Sequence, residues 1–172
     1  MLTRERALQV LREVGCSSEV INHCLAVERE ALKIAREIRD NGHSVDLELV
    51  RIGALLHDIG RSRTHGISHG VIGGEILRSK GLGRFAGFAE NHLGAGIPAE
   101  EASELGLPER DFLPRTLEEK IVTYADKLIS RSRVISYDKA LERFRRELGE
   151  HHPAVERFKP LHSEIERLKG RS

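Results

Sequence analysis

Aromatic side chains make up only 4% of the chain, and tryptophan is absent. That scarcity removes the usual stacking platform for single-stranded nucleic acid. The two cysteines, Cys16 and Cys24, suit neither a disulfide framework nor a paired metal knuckle. Cys24 falls on an apolar helix face and reads as a small core residue. No apolar run approaches membrane-spanning length, and the opening Met1-Leu2-Thr3-Arg4-Glu5-Arg6 lacks the apolar region of a secretory signal. The expectation is a cytoplasmic protein with no membrane partner. An excess of one charge is missing too, since 28 Lys and Arg face 27 Asp and Glu. Such balance speaks against a whole-surface nucleic-acid binder and leaves local basic patches open.

What the sequence does contain is helical periodicity. Its 172 residues suit one domain that buries its own core. Ala7, Leu8, Leu11 and Val14 form a short amphipathic stretch ended by Gly15. Ser17 or Ser18 can cap a longer helix with the stripe Val20, Cys24, Val27, Ala31, Ile34, Ala35 and Ile38, stopped by Asn41-Gly42. Asp46 caps a third, carrying Leu47, Val50, Ala54 and His57. Residues 60–67 read as a loop, and Ser68 opens a helix with Val71, Ile72, Ile76 and Leu77. After Gly81-Leu82-Gly83 comes a short helix over about 84–91, then a Gly- and Pro-containing connection over 94–114. Thr116 and Glu119 form a capping box for a helix reaching about 130. Two C-terminal helices fill about 138–169, with Pro160 expected to kink or divide the last. No strand shows convincing alternation, so the fold class is all-α, a single domain over 1–172.

Four polar residues contradict the pattern they sit in. His57 and Asp58 close the apolar run Ile52-Gly53-Ala54-Leu55-Leu56. His23 lies three residues after Val20 and four before Val27, and Asp126 lies four after Val122 and three before Ile129. All four therefore face where their helices pack. Taken singly, a core histidine with a hydrogen bond, or an aspartate paired with Lys127 or an arginine, is the plainer explanation. Taken together, two imidazoles and two carboxylates would each need a separate buried partner. One divalent cation satisfies them all.

This order of residues is also a family signature. A helix bearing His23, the His57-Asp58 pair after Ala54-Leu55-Leu56, and Asp126 within Tyr124-Ala125-Asp126-Lys127 resemble the HD-domain phosphohydrolase superfamily. His57-Asp58-Ile59-Gly60 matches the HDIG subgroup, and the whole is similar to a stand-alone, archaeal-type branch. The resemblance implies an all-helical HD core over about 17–131, with a metal site between helices and hydrolysis of phosphate esters. It implies His23, His57, Asp58 and Asp126 as ligands of a first metal. In dinuclear members two further histidines hold a second ion, and His69 and His92 match those positions, with Asp58 bridging. The other reading of His69 and His92 is that they line the pocket as phosphate donors. Where such members often pair two histidines, Asn91 stands beside His92.

Several neighbours complete the expected site. Arg61 could clamp a phosphate bidentately, or be a solvated loop charge. His65 reads as a substrate contact, and Lys127 as a partner of the carboxylates or of substrate. His43, His151, His152 and His162 lie in polar contexts and are assigned no chemistry. The cofactor would be one or two divalent transition ions (Mn, Fe, Co, Ni or Zn), lowering the pKa of a water that attacks phosphorus. Asp58 or Asp126 could also accept a proton. The leading expectation is a phosphohydrolase acting on a small phosphorylated molecule, a nucleotide or cyclic nucleotide. Two others stand beside it: an RNA-end phosphodiesterase, and a non-catalytic metal-containing ligand-binding module. The C-terminal stripes of Phe144, Leu148, Val155, Phe158, Leu161, Ile165 and Leu168 cover the domain's own core or form a homodimer contact.

Overall fold

Most of the longer helices begin where a side chain can accept an otherwise orphaned backbone N–H. A computed structural model of the chain describes residues 2–171. Thr3 caps α1 (Arg4–Glu13), Ser17 caps α2 (Ser18–Asp40) and Asp46 caps α3 (Leu47–Leu56). After α3 the chain tightens into a 3₁₀ turn, Ile59–Ser62, and then enters α4 (His69–Ser79). Ser68 stands at the start of α4 without making a side-chain capping bond. A second 3₁₀ turn, Gly83–Phe85, leads into α5 (Ala86–Glu90). The expected capping box is present, with Thr116 Oγ1 accepting from the Glu119 amide at 3.1 Å and opening α7 (Leu117–Lys127). α8 (Tyr137–Leu148) and α9 (Pro153–Leu168) close the fold. No helix among the described residues is long and apolar enough to cross a membrane.

α2 is the spine. Its stripe Val27, Ala31, Ile34, Ala35 and Ile38 is buried, and it packs on α3 and α7. The apolar run of α3 is buried throughout, from Ile52 to Leu56, so the two residues that follow inherit a buried position. α4 lies against α5 and against the first 3₁₀ turn. Gly60 permits that last approach: a Cβ there would collide with the carbonyl of His69. The C-terminal stripes cover the domain itself, with Phe144, Val155, Phe158, Leu161 and Ile165 in the main core.

Four expectations need correction. The 94–114 connection is not bare loop, because it holds a short helix, α6 (Ala99–Glu104), and a bridge between Ile97 and Phe112 over a small apolar cluster of its own. The 60–67 segment begins as helix, since the 3₁₀ turn runs to Ser62. α7 stops at Lys127, and a minimal antiparallel hairpin follows, β1 (Ile129–Ser130) with β2 (Arg133–Val134). Two-residue strands are too short to show alternation. Pro160 does not divide α9. It is exposed, as is Glu156 one turn earlier, so the carbonyl left without an N–H partner is open to water.

Candidate metal centre

Five elements converge on one carboxylate. His57 closes α3, and Asp58 follows it at φ −103°, ψ 17°, between the helical and extended regions. The turn splays the Asp58 oxygens in opposite directions. Oδ2 lies 3.5 Å from His23 Nε2 and 3.6 Å from His57 Nε2. Asp126, in the last turn of α7, completes that side, its Oδ1 lying 2.8 Å from His23 Nε2 and 3.2 Å from His57 Nε2. Oδ1 of Asp58 points the other way, 3.2 Å from His69 Nε2 and 3.1 Å from His92 Nε2. The described residues thus offer two sets of donor atoms, His23-His57-Asp58-Asp126 and Asp58-His69-His92, each close enough to hold one ion.

The imidazoles are all turned the same way. Nδ1 of His57 donates to the Ala54 carbonyl at 2.6 Å, Nδ1 of His69 to Gly66 at 2.9 Å and Nδ1 of His92 to Ala89 at 2.7 Å. Nδ1 of His23 reaches across the fold to the Arg131 carbonyl at 2.9 Å. A carbonyl only accepts, so each Nδ1 carries a proton and each ring turns its Nε2, the nitrogen a metal ion would take, inward. At His69 and His92 those inward nitrogens crowd one another. His69 Nε2 and His92 Nε2 stand 3.1 Å apart, and Asp58 Oδ1 is buried without a hydrogen bond. Acceptors held against acceptors in a buried site need a cation between them. The donor set, imidazole nitrogen with carboxylate oxygen, suits a divalent transition ion.

The same groups set one another's charge. Burial pushes the Asp58 carboxyl up, but the imidazoles of His57, His69 and His92 outweigh it and hold the group well below the usual carboxylate range. Burial opposes ionisation of Asp126 as well, and Lys127, His23 and His57 reverse it. Burial drives His92 down to about 4 against the pull of Asp58, so its ring is neutral. His23 goes the other way. Its burial is overcome by the hydrogen bond to Asp126 and the charges of Asp126 and Asp58, which raise it to about 9. Cys16 belongs to neither donor set, and burial and the charge of Asp58 push its thiol up to about 11.

The centre opens on one side. Side-chain exposure is 0% at His57 and 20% at His23, and a cavity of about 570 Å³ lies over that edge, lined by Asp58, Arg61 and His65 among others. Arg61 Nε donates to Asp58 Oδ2 at 3.1 Å, and Lys127 Nζ to Asp126 Oδ2 at 2.7 Å. Every residue singled out from the sequence therefore lies at the centre or on its cavity. His162, assigned no chemistry, is a packing residue: it accepts from the Tyr124 hydroxyl at 2.5 Å and stacks on Tyr137. Asn91 turns away from the centre. Arg131 is the residue that sequence reasoning passed over, and it enters both through its carbonyl and as part of the cavity wall. Only the hairpin brings it there, and a hairpin of this size leaves no periodic signal.

The model of the family described as HD domain matches residues 20–131. The chain belongs to the HD-domain family. It is 52% identical over 165 residues to an uncharacterised protein of Methanocaldococcus jannaschii, across 95% of this chain and 97% of that one. It is 39% identical over 168 residues to the tRNA (cytidine(56)-2'-O)-methyltransferase of Picrophilus torridus, across 97% of this chain and 47% of that protein. The enzyme of the same name from Thermoplasma volcanium is 38% identical over 164 residues, across 95% of this HD-domain chain and 46% of the enzyme. The chain thus spans less than half the length of either methyltransferase. No solved structure matches it.

Proposed function

We propose that this HD-domain protein is a metal-dependent phosphohydrolase that cleaves a phosphate ester of a small phosphorylated molecule, a nucleotide or cyclic nucleotide. The observation that carries the proposal is the division of Asp58, with one oxygen facing each donor set. In this reading His23, His57, Asp58 and Asp126 hold one ion, while Asp58, His69 and His92 hold a second. Divalent ions held there would supply hydroxide near neutral pH and polarise the phosphoryl oxygens. Arg61 leaves Asp58 for the phosphate, where its planar fork fits two oxygens. His65 contacts substrate from the rim. Lys127 would keep Asp126 ionised as a ligand. The open cavity supports catalysis over a purely structural ion, because structural sites fill their coordination with protein ligands.

A second reading has a specific basis. Two relatives that align over nearly this whole chain are named as tRNA methyltransferases, which favours an RNA phosphate, such as an RNA end, as the ester cleaved. Salt separates the two readings, since polyanion binding weakens steeply with ionic strength. The central test is hydrolysis of phosphate mono- and diesters with Mn²⁺, Co²⁺ or Ni²⁺ by the wild type, Asp58→Ala and His57→Ala. Metal content and hydrolysis should both collapse in the variants. Retention of both would end the proposal.

A further inference from the structure

The register of the hairpin, Ile129 opposite Val134 and Ser130 opposite Arg133, leaves Arg131 and Ser132 as a two-residue loop. Arg131 has φ +61°, and every other described residue with positive φ is a glycine. A two-residue hairpin loop whose first central residue has positive φ favours glycine, which has no Cβ to clash. This chain follows that rule at eight positions and breaks it here. A strained backbone persists where something else gains from it.

The gain is not the bond to His23. Any residue, glycine included, would supply the carbonyl that His23 Nδ1 reaches at 2.9 Å. What arginine adds is an exposed cationic side chain on a residue that lines the cavity together with His23, Arg61, His65, Asp58 and Glu19. Arg61 is already seated on Asp58, at 3.1 Å. The Arg131 side chain has no hydrogen bond or ion pair with any described residue, so its fork is free for a ligand. Its place in the fold says which part of a ligand it meets. The Arg131 backbone joins His23 at Nδ1, across the ring from the Nε2 that faces the carboxylates, so its side chain starts one imidazole outside the donor sets.

We infer that Arg131 holds a second phosphate adjoining the scissile one, and that the substrate belongs to the diphosphates or longer polyphosphates. This rests on the phosphohydrolase reading for the word "scissile". The pairing of a guanidinium with two phosphate oxygens stands on the cavity alone.

The test uses metal-reconstituted protein, desalted and titrated calorimetrically with inorganic orthophosphate, pyrophosphate and tripolyphosphate. The wild type binds pyrophosphate about tenfold more tightly than orthophosphate, the scale of one charge-assisted pair. Arg131→Gly accepts the backbone angle and keeps the carbonyl. It loses that preference while its metal content stays and its Tm does not fall. Arg131→Gln keeps the strain, lacks the charge, and loses the preference too. A wild type indifferent to the second phosphate, or variants that retain the preference, would overturn the inference. A protein that shows this binding pattern yet hydrolyses no phosphate ester refutes hydrolysis and leaves the Arg131 site standing.

Discussion

Asn91 Nδ2 donates to Glu119 Oε1 at 2.7 Å, both side chains being buried. The residue beside His92 therefore ties the end of α5 to the start of α7 and takes no part in the metal centre. Asn91→Ala leaves a buried carboxylate short of a donor and should cost about 1–3 kcal/mol. Urea denaturation measures that cost. Metal stoichiometry at saturation should stay at the wild-type value, and a drop by one ion would show that Asn91 is a ligand after all.

Gly60 packs so closely on α4 that a Cβ there would run into the backbone of His69 and Gly73. Gly60→Ala drives a methyl group into the backbone of His69, so turn and helix must part. Overpacking of this kind costs about 1–3 kcal/mol. It also pulls His69 from Asp58, so the second ion should be lost before the first. Metal analysis alongside thermal unfolding checks both effects.

The two donor sets share only Asp58. The wild type should bind two ions, and His69→Ala and His92→Ala should each bind one. Asp58→Ala should weaken both sites by at least about tenfold, the scale for disturbing metal coordination. Inductively coupled plasma analysis of dialysed protein reads this directly. Equal stoichiometry in the wild type and both histidine variants would remove the second site.

His23 supplies a pH dependence with a definite sign. Its folded pKa, about 9, lies above the ordinary imidazole value of 6.5. In metal-free protein its contribution to stability is therefore complete below about 6.5 and fades as pH rises through about 9. The chelated protein should lose Tm over that window, and His23→Gln should flatten the slope. An ion replaces the proton, so metal uptake at pH 7 should release protons, and affinity should climb toward pH 9. Calorimetry in buffers of different ionisation enthalpy counts those protons.

Sequence periodicity located His23 and Asp126 because each sits on a helix long enough to have a defined inner face, and His57 and Asp58 because they directly follow the buried run of α3. His23 on α2, His57 at the end of α3 and Asp126 in α7 inherit their direction from Val20, Ala54 and Val122. Caps were equally legible, since Ser17, Asp46 and Thr116 act within three residues of their partners. His69 and His92 came through the family signature, because each lies at a helix boundary where no stripe fixes its direction. Long-range contacts left no trace in local pattern. Nothing near Asn91 points to Glu119, 28 residues on, and nothing near His23 announces the carbonyl of Arg131, 108 residues away. The hairpin and α6 are too short for periodicity, and tertiary packing alone defines them.

Three of the four imidazoles are oriented by carbonyls three residues upstream, and the fourth by a carbonyl from the hairpin. The outer support of the centre is thus main chain, which substitution cannot delete. Evolution can exchange neighbouring side chains, and so retune substrate choice, without untying the rings. The same arrangement makes insertions and deletions the real hazard. Shifting the backbone by one residue at 54–57, 66–69 or 89–92 would swing a ring away from its neighbours, whatever amino acids were chosen.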